Sequence, residues 1–204
     1  MKNKKKKVLV ILILIIILLI AGILIYKLSL NKNDEPQVKV IKSIEEYNYN
    51  LNDNETKLYK TEFDNLYDIL TNDEVDYEAY AKSVAKLFVI DFYTLDNKLS
   101  KNDIGGTDFI KDSMKDNFIE EARSTFYKYL EVKNDERMQR LPIVNEITDV
   151  LIENTTFTYA DKTIDENAYK VTISWNYEED LGYETTAKMI IVKEDKKLYI
   201  VEMD

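Results

Sequence analysis

The pattern of hydrophobic and polar positions divides the chain into an apolar N-terminal segment and a longer amphipathic part. Residues 1–7 are mostly lysine, and an unbroken apolar run follows over residues 8–25. A helix of that length spans about 27 Å, close to the thickness of the hydrocarbon core of a bilayer. Tyr26 and Lys27 suit the membrane–water interface at the far end of such a helix. The pattern therefore predicts a transmembrane helix over residues 8–28.

This helix has the features of an uncleaved signal anchor rather than a cleaved signal peptide. The apolar region of a signal peptide is usually about 7–15 residues long and ends in a small-x-small cleavage site. Here the run is longer, and residues 26–30 lack such a site. Because five lysines precede the helix, the positive-inside rule places residues 1–7 in the cytoplasm and the C-terminal domain outside the cell. The predicted localisation is the cell membrane, with a single pass.

Downstream of the anchor, the pattern predicts a linker over residues 29–37 and one α+β domain over residues 38–204. Alternating positions predict short strands at residues 38–41 and 47–51. About three helices are predicted from apolar spacing, over residues 63–70, 76–99 and 112–131. Alternation after Pro142 predicts four strands, over residues 148–159, 169–177, 185–192 and 198–203. Helices followed by an antiparallel meander indicate helices packed on a curved four-stranded antiparallel sheet.

The composition then restricts the chemistry. The chain has no Cys and no His, which excludes disulfides, a Cys nucleophile, a His general base and the usual zinc ligand sets. Acidic turns such as residues 52–55 and 178–180 do not match a calcium-binding loop. The sequence therefore predicts neither a cofactor nor a metal.

The charge is divided unevenly between the two parts of the chain. The whole protein has a net charge of −10, but residues 1–30 contain six lysines and no acid. The remaining 22 basic and 38 acidic residues give the outer part a net charge of −16. Such a surface repels the phosphates of nucleic acids. Nucleic acid is accordingly not a predicted partner.

The predicted elements follow in the order of a signal anchor, helices and a four-stranded curved sheet. This order resembles that of a known superfamily. It is similar to membrane-anchored members of the cone-shaped nuclear-transport-factor-like (cystatin-like) superfamily. Within it, the order is most similar to the bitopic assembly components of type IV secretion and conjugation systems, over about residues 63–203. The resemblance implies a binding or assembly module, although other members of the superfamily are enzymes that use the conical pocket.

Asp91 is the strongest catalytic candidate, because its spacing puts a carboxylate on the apolar stripe of the second predicted helix. In one interpretation it is a general base in a conical pocket, with Tyr93 or another Tyr as proton donor. In the other it is a structural carboxylate, bonded to a Lys, a Tyr or a backbone donor, because buried charges are paired or hydrogen-bonded. Both interpretations remain open from the sequence.

Two further groups of residues are candidates for binding a ligand or partner. Asp103, Gly105 and Gly106 lie in one loop, which is either a pocket rim or an ordinary turn that ends a helix. Trp175 and Tyr177 share one face of a predicted strand, where they line a binding site or pack in the core.

From these observations we expect a membrane-anchored extracytoplasmic binding or assembly module of the bacterial cell envelope. The alternative is a small-ligand-binding or isomerase-like enzyme that uses Asp91 and nearby Tyr residues. The predicted partners are the lipid bilayer, through residues 8–28, and either an envelope protein or a second copy of the chain.

Overall fold

A computed structural model describes residues 43–204, which form three helices and a four-stranded antiparallel sheet. The helices are α1 (Lys57–Leu70), α2 (Tyr77–Tyr93) and α3 (Asp112–Ser124). Two short paired strands, β1 (Ser43–Ile44) and β2 (Tyr49–Asn50), precede them. The predicted α+β class, with about three helices and four sheet strands, is therefore confirmed for this part of the chain.

The predicted tail (1–7), transmembrane anchor (8–28) and linker (29–37) lie outside the described residues, as does the predicted strand at 38–41. The α-helices between residues 43 and 204 are 13 to 17 residues long. Not one of them combines the length and the apolar character needed to cross a bilayer.

The sheet is a simple meander. Its strands are β3 (Val144–Thr158), β4 (Ile164–Tyr177), β5 (Thr186–Glu194) and β6 (Lys197–Met203). Each strand pairs antiparallel with the next, in the order β3-β4-β5-β6, so that β3 and β6 are the edges. Shifts of register along the β3–β4 pair mark irregularities of the β-bulge type in this part of the sheet.

Side-chain caps fix where α1 and α2 begin. The Thr56 hydroxyl accepts a hydrogen bond from the Tyr59 N–H at 3.2 Å, so α1 starts upstream of the predicted residue 63. The Asp76 carboxylate accepts two backbone N–H groups at 3.0 Å each, which starts α2 where the sequence predicts it. Both caps satisfy N–H groups that have no partner within the helix.

The end of α2 differs from the prediction. The helix stops at Tyr93, and its expected continuation to residue 99 is wrong. Thr94 takes an extended conformation, and its hydroxyl accepts a hydrogen bond from the Val144 N–H at 3.1 Å. A contact with the sheet thus replaces the next turn of helix.

The end of α3 is also earlier than expected. The helix stops at Ser124 rather than at residue 131. The Thr125 hydroxyl donates to the Glu121 carbonyl at 2.7 Å, and the backbone of Thr125 leaves the helical region. Side chains that bond to the preceding turn compete with the helix in this way.

The core is formed around α2. Phe88 and Leu87 are fully buried in this helix, and Trp175 of β4 is 1% exposed. Two hydroxyls in the core are paired with each other: those of Tyr49 and Tyr80 share a hydrogen bond of 2.7 Å. The Tyr80 hydroxyl also accepts from a backbone N–H of β6 at 3.3 Å, so one hydroxyl ties α2 to the sheet.

Candidate functional site

Asp91 lies on α2 and forms a buried ion pair. One oxygen of its carboxylate contacts the Lys98 ammonium, and the other accepts a hydrogen bond from the Gly106 N–H at 2.6 Å. The side chains of Asp91 and Lys98 are 15% and 4% exposed. Both oxygens of the carboxylate are therefore occupied, as in the structural interpretation of this residue.

The loop after α2 is organised by hydrogen bonds around this pair. Asp103 accepts the Leu99 N–H at 2.8 Å, which closes the turn that carries Lys98. The Gly105 N–H donates to the Tyr127 hydroxyl at 3.1 Å. That hydroxyl donates in turn to a carbonyl at the end of α2, at 2.7 Å. These hydrogen bonds hold the loop against the helix, as expected for the alternative in which the loop is an ordinary turn rather than a pocket rim.

Gly106 is required at its position for two reasons. Its φ of +74° lies in the left-handed region, which side chains disfavour. A Cβ at this position would also lie 2.6 Å from the ring of Phe88. Only glycine allows the backbone N–H to reach the Asp91 carboxylate this closely.

Glu55 is a second buried carboxylate beside the ion pair. It is 7% exposed, and the amides of Asn52 and Asn97 donate to it only across 3.5 Å each. Burial raises the pKa of Glu55 to about 7, with a further contribution from the negative charge of Asp91, and Lys98 opposes the shift. Sequence analysis missed this group, because Glu55 stands in a segment whose polar residues predict an exposed turn.

Tyr93 lies on a different side of α2 from Asp91. Its ring centroid is 4.5 Å from that of Trp175, and no hydrogen bond joins it to Asp91 in the part of the chain described. The Tyr177 hydroxyl donates to the Glu184 carbonyl at 2.9 Å, and burial raises the pKa of Tyr177 to about 12. The structure therefore does not bring Asp91 and Tyr93 together as an acid–base pair.

An open groove lies between α3 and the edge strand β6, and we call it the α3–β6 groove. One wall is the face of α3 that carries Met114, Phe118 and Glu121, and the other is residues 200–203 of β6. The groove has a volume of about 330 Å³, within the range of ligand sites. Its floor consists of aromatic side chains: Phe88, Phe92, Tyr93 and Phe126.

The charged residues that line the groove within residues 43–204 are all negative. Glu121, Glu184 and Glu202 line it and are exposed, and no Lys or Arg of this range is among the lining residues. None of the three carboxylates forms an ion pair with another residue of the described range. An aromatic surface with unpaired carboxylates suits a ligand that combines apolar groups with positive charge.

Sequence reasoning found only one of the groove residues, Tyr93. The others predicted as site residues, including Asp91 and Trp175, do not line the groove. The apolar face of α3 was expected to be core, yet Ala122 is the only residue of this helix that is buried. Nothing in the spacing distinguishes a helix face that packs fully on a sheet from one that remains half open.

The acidic residues within 43–204 do not come together as a set that could hold a metal ion. Comparison of the chain with protein families, with curated proteins and with solved structures finds no match in any of the three. The geometry of the site is therefore the basis for the proposals below.

Breaking the Asp91–Lys98 pair is expected to destabilise the fold. Asp91→Asn and Lys98→Met should each lower the free energy of unfolding by about 3 kcal/mol, because each leaves a buried group without its partner. The double variant should lose less than the sum of the two, with a coupling of at least about 1 kcal/mol. Urea unfolding followed by circular dichroism measures these values.

The exposed pair of Arg140 and Glu179, with side chains 67% and 58% exposed, is the matched control. Glu179→Gln should have a much smaller effect, since exposed pairs contribute little. Additive effects of Asp91→Asn and Lys98→Met would contradict the structural interpretation of this pair.

Glu55 should make the stability depend on pH near neutrality. Because the pKa of Glu55 is raised from 4.5 to about 7 in the folded state, its proton stabilises the fold fully below pH 4.5. This stabilisation is lost as the pH rises from 4.5 through 7. Glu55→Gln should remove the loss and be more stable than wild type at pH 8, by roughly 1–3 kcal/mol. Thermal and urea unfolding between pH 5 and 8 test this.

Replacement of an exposed carboxylate, as in Glu45→Gln, is the control and should leave the pH profile of stability unchanged. Parallel profiles for wild type and Glu55→Gln would show that Glu55 is already ionised in the folded protein at low pH.

Proposed function

We propose that this protein is a single-pass membrane protein whose domain binds a partner outside the cytoplasm through the α3–β6 groove. The observation that carries the proposal is the groove itself, an aromatic surface left open between a helix and a sheet edge. Apolar surfaces that are open and bordered by polar groups mark binding sites in soluble domains.

The geometry favours a binding module over the enzyme alternative. A general base must reach its substrate, yet the Asp91 carboxylate is engaged by Lys98 and by the Gly106 N–H. Tyr93 does line the groove, but the acidic groups nearest to it there are exposed glutamates. This arrangement supports recognition better than proton transfer.

We also propose that the domain is a cystatin-like cone. The order of three helices followed by a four-stranded antiparallel meander supports this kinship. A role in assembly, as in the bitopic components of type IV secretion and conjugation systems, is proposed on the same order of elements. The chain lacks the Asn-Pro-x-Gly turn of those components. Pro142 is the only proline of the predicted domain, and it stands between Leu141 and Ile143.

The proposed location is the outer face of a bacterial cell membrane, with residues 8–28 in the bilayer. It rests on the apolar run and on the lysines that precede it. Because the chain contains no Cys, single thiols can report its orientation without a background.

The orientation predicts which thiols are accessible from outside the cell. The thiol introduced by Met138→Cys, at a residue that is 88% exposed, should react with a membrane-impermeant maleimide in intact cells. The thiol introduced by Asn3→Cys is the control and should react only after the cells are opened. The reverse pattern would place the domain in the cytoplasm and overturn the proposed location.

The groove should be the surface that meets the partner. A photo-reactive benzoylphenylalanine in place of Met114, in the groove, should give a discrete cross-linked species in intact cells. The same residue in place of Leu151, which is 60% exposed on β3 at the opposite edge of the sheet, should not. Equal cross-linking at both positions, or none at Met114, would argue against the groove as a binding site.

A further inference from the structure

Within the described residues, the outer edge of β6 is hydrogen-bonded to another segment over only part of its length. Ile110 forms an isolated parallel bridge with Ile200, and the Lys111 N–H donates to the Ile200 carbonyl at 3.5 Å. The chain then enters α3 and leaves this edge. From Val201 to Met203, the edge faces the α3–β6 groove.

The register shows which backbone groups are free there. Lys188 of β5 and Asp204 exchange two hydrogen bonds, at 2.8 and 2.9 Å. Hydrogen-bonded and non-hydrogen-bonded pairs alternate along an antiparallel ladder. The next pair, Met189 and Met203, is therefore a non-hydrogen-bonded one. Met203 accordingly directs its N–H and C=O away from β5. No other described residue accepts or donates a hydrogen bond at the Met203 backbone.

The dimensions of the groove match a short extended chain. The groove residues of α3 and of its C-terminal cap run from Met114 to Thr125, a length of about 16 Å at the rise per residue of a helix. About five residues of a β-strand cover the same distance. An extended peptide in this position would have β6 on one side and α3 on the other.

The charges around this edge indicate the composition of such a peptide. Glu121 stands on the helix wall and Glu202 on the strand wall, and neither is paired within the described part of the chain. The floor between the walls is aromatic, with Phe92 and Phe126 stacked at 5.4 Å. Apolar side chains suit the floor, and lysines or arginines suit the two walls.

We propose that the α3–β6 groove binds an extended peptide segment with alternating apolar and basic residues, which adds to the sheet as a strand beside β6. This inference rests on the proposed function, since it names the partner class of the same groove. Backbone bonds at Met203 supply affinity, and the aromatic floor and the carboxylates select the side chains.

A second copy of this chain fits the groove less well. Two β6 edges would bring the same glutamates together, in a part of the chain with a net charge of −16. Like charges in direct opposition across paired strands are destabilising. The basic peptide has the complementary charge.

The test uses the full chain in an uncharged detergent and the fluorescein-labelled peptide Lys-Val-Lys-Leu-Lys-Val as the probe. Fluorescence anisotropy should show saturable binding, and Glu-Val-Glu-Leu-Glu-Val should bind at least tenfold more weakly. The double variant Glu121→Gln with Glu202→Gln should weaken binding of the basic probe at least fivefold. Glu166→Gln, at an exposed position of β4, is the control and should leave the affinity for the basic probe unchanged.

Backbone pairing is tested with two methylated forms of the probe, one with N-methyl groups on its lysines and one with them on its apolar residues. In an extended strand the N–H groups of alternate residues point to opposite sides, so only one of the two methylated sets faces β6. One form of the probe should therefore lose at least tenfold in affinity, and the other should not. Equal affinities of the two forms overturn strand addition.

Two other outcomes also overturn the proposal while sparing the proposed function. In the first, a photo-reactive residue at position 114 captures a partner in cells, but the basic probe does not bind. In the second, Met203→Cys forms a disulfide-linked dimer of the full chain, so that the occupant of the edge is a second copy.

Discussion

The pairing of Asp91 with Lys98 is the constraint on which the surrounding structure depends. A carboxylate on the central helix must be neutralised, and both lysines of α2 are engaged elsewhere, with Glu78 and Glu62. The cation therefore comes from beyond the helix, which requires the helix to stop and the chain to turn back. The returning loop leads directly into α3, so an electrostatic requirement in the core sets the position of one wall of the groove.

The parts of the fold that local patterns control could be predicted from the sequence, and those that depend on distant contacts could not. Alternation located the four sheet strands, and spacing located the three helices, because each follows from one buried face. The early end of α2 depends on a bond between Thr94 and Val144, fifty residues apart in the sequence, which no local pattern contains. The position of Asp91 on an apolar stripe indicated a carboxylate that needs a partner. That Lys98 is this partner depends on the turn after α2, which the sequence pattern does not contain. The groove could not be predicted, since it results from how far α3 stands from β6.

The groove combines two features that soluble domains usually avoid, an open apolar surface and an unpaired sheet edge. The three glutamates around it reduce the risk of both, because they repel other copies of the same acidic domain. In the proposed complex, the same charges favour a basic partner over an acidic one. In this proposal, protection against self-association and choice of partner follow from one set of side chains.

The contact between Trp175 and Tyr93 has an optical consequence. Trp175 is the only tryptophan of the chain, it is buried, and the ring on which it packs is part of the groove floor. Indole emission responds to small changes in the packing and polarity around the ring. The domain therefore contains a single indole, one side chain away from the groove, and we expect its emission to change when the groove is filled, without any label.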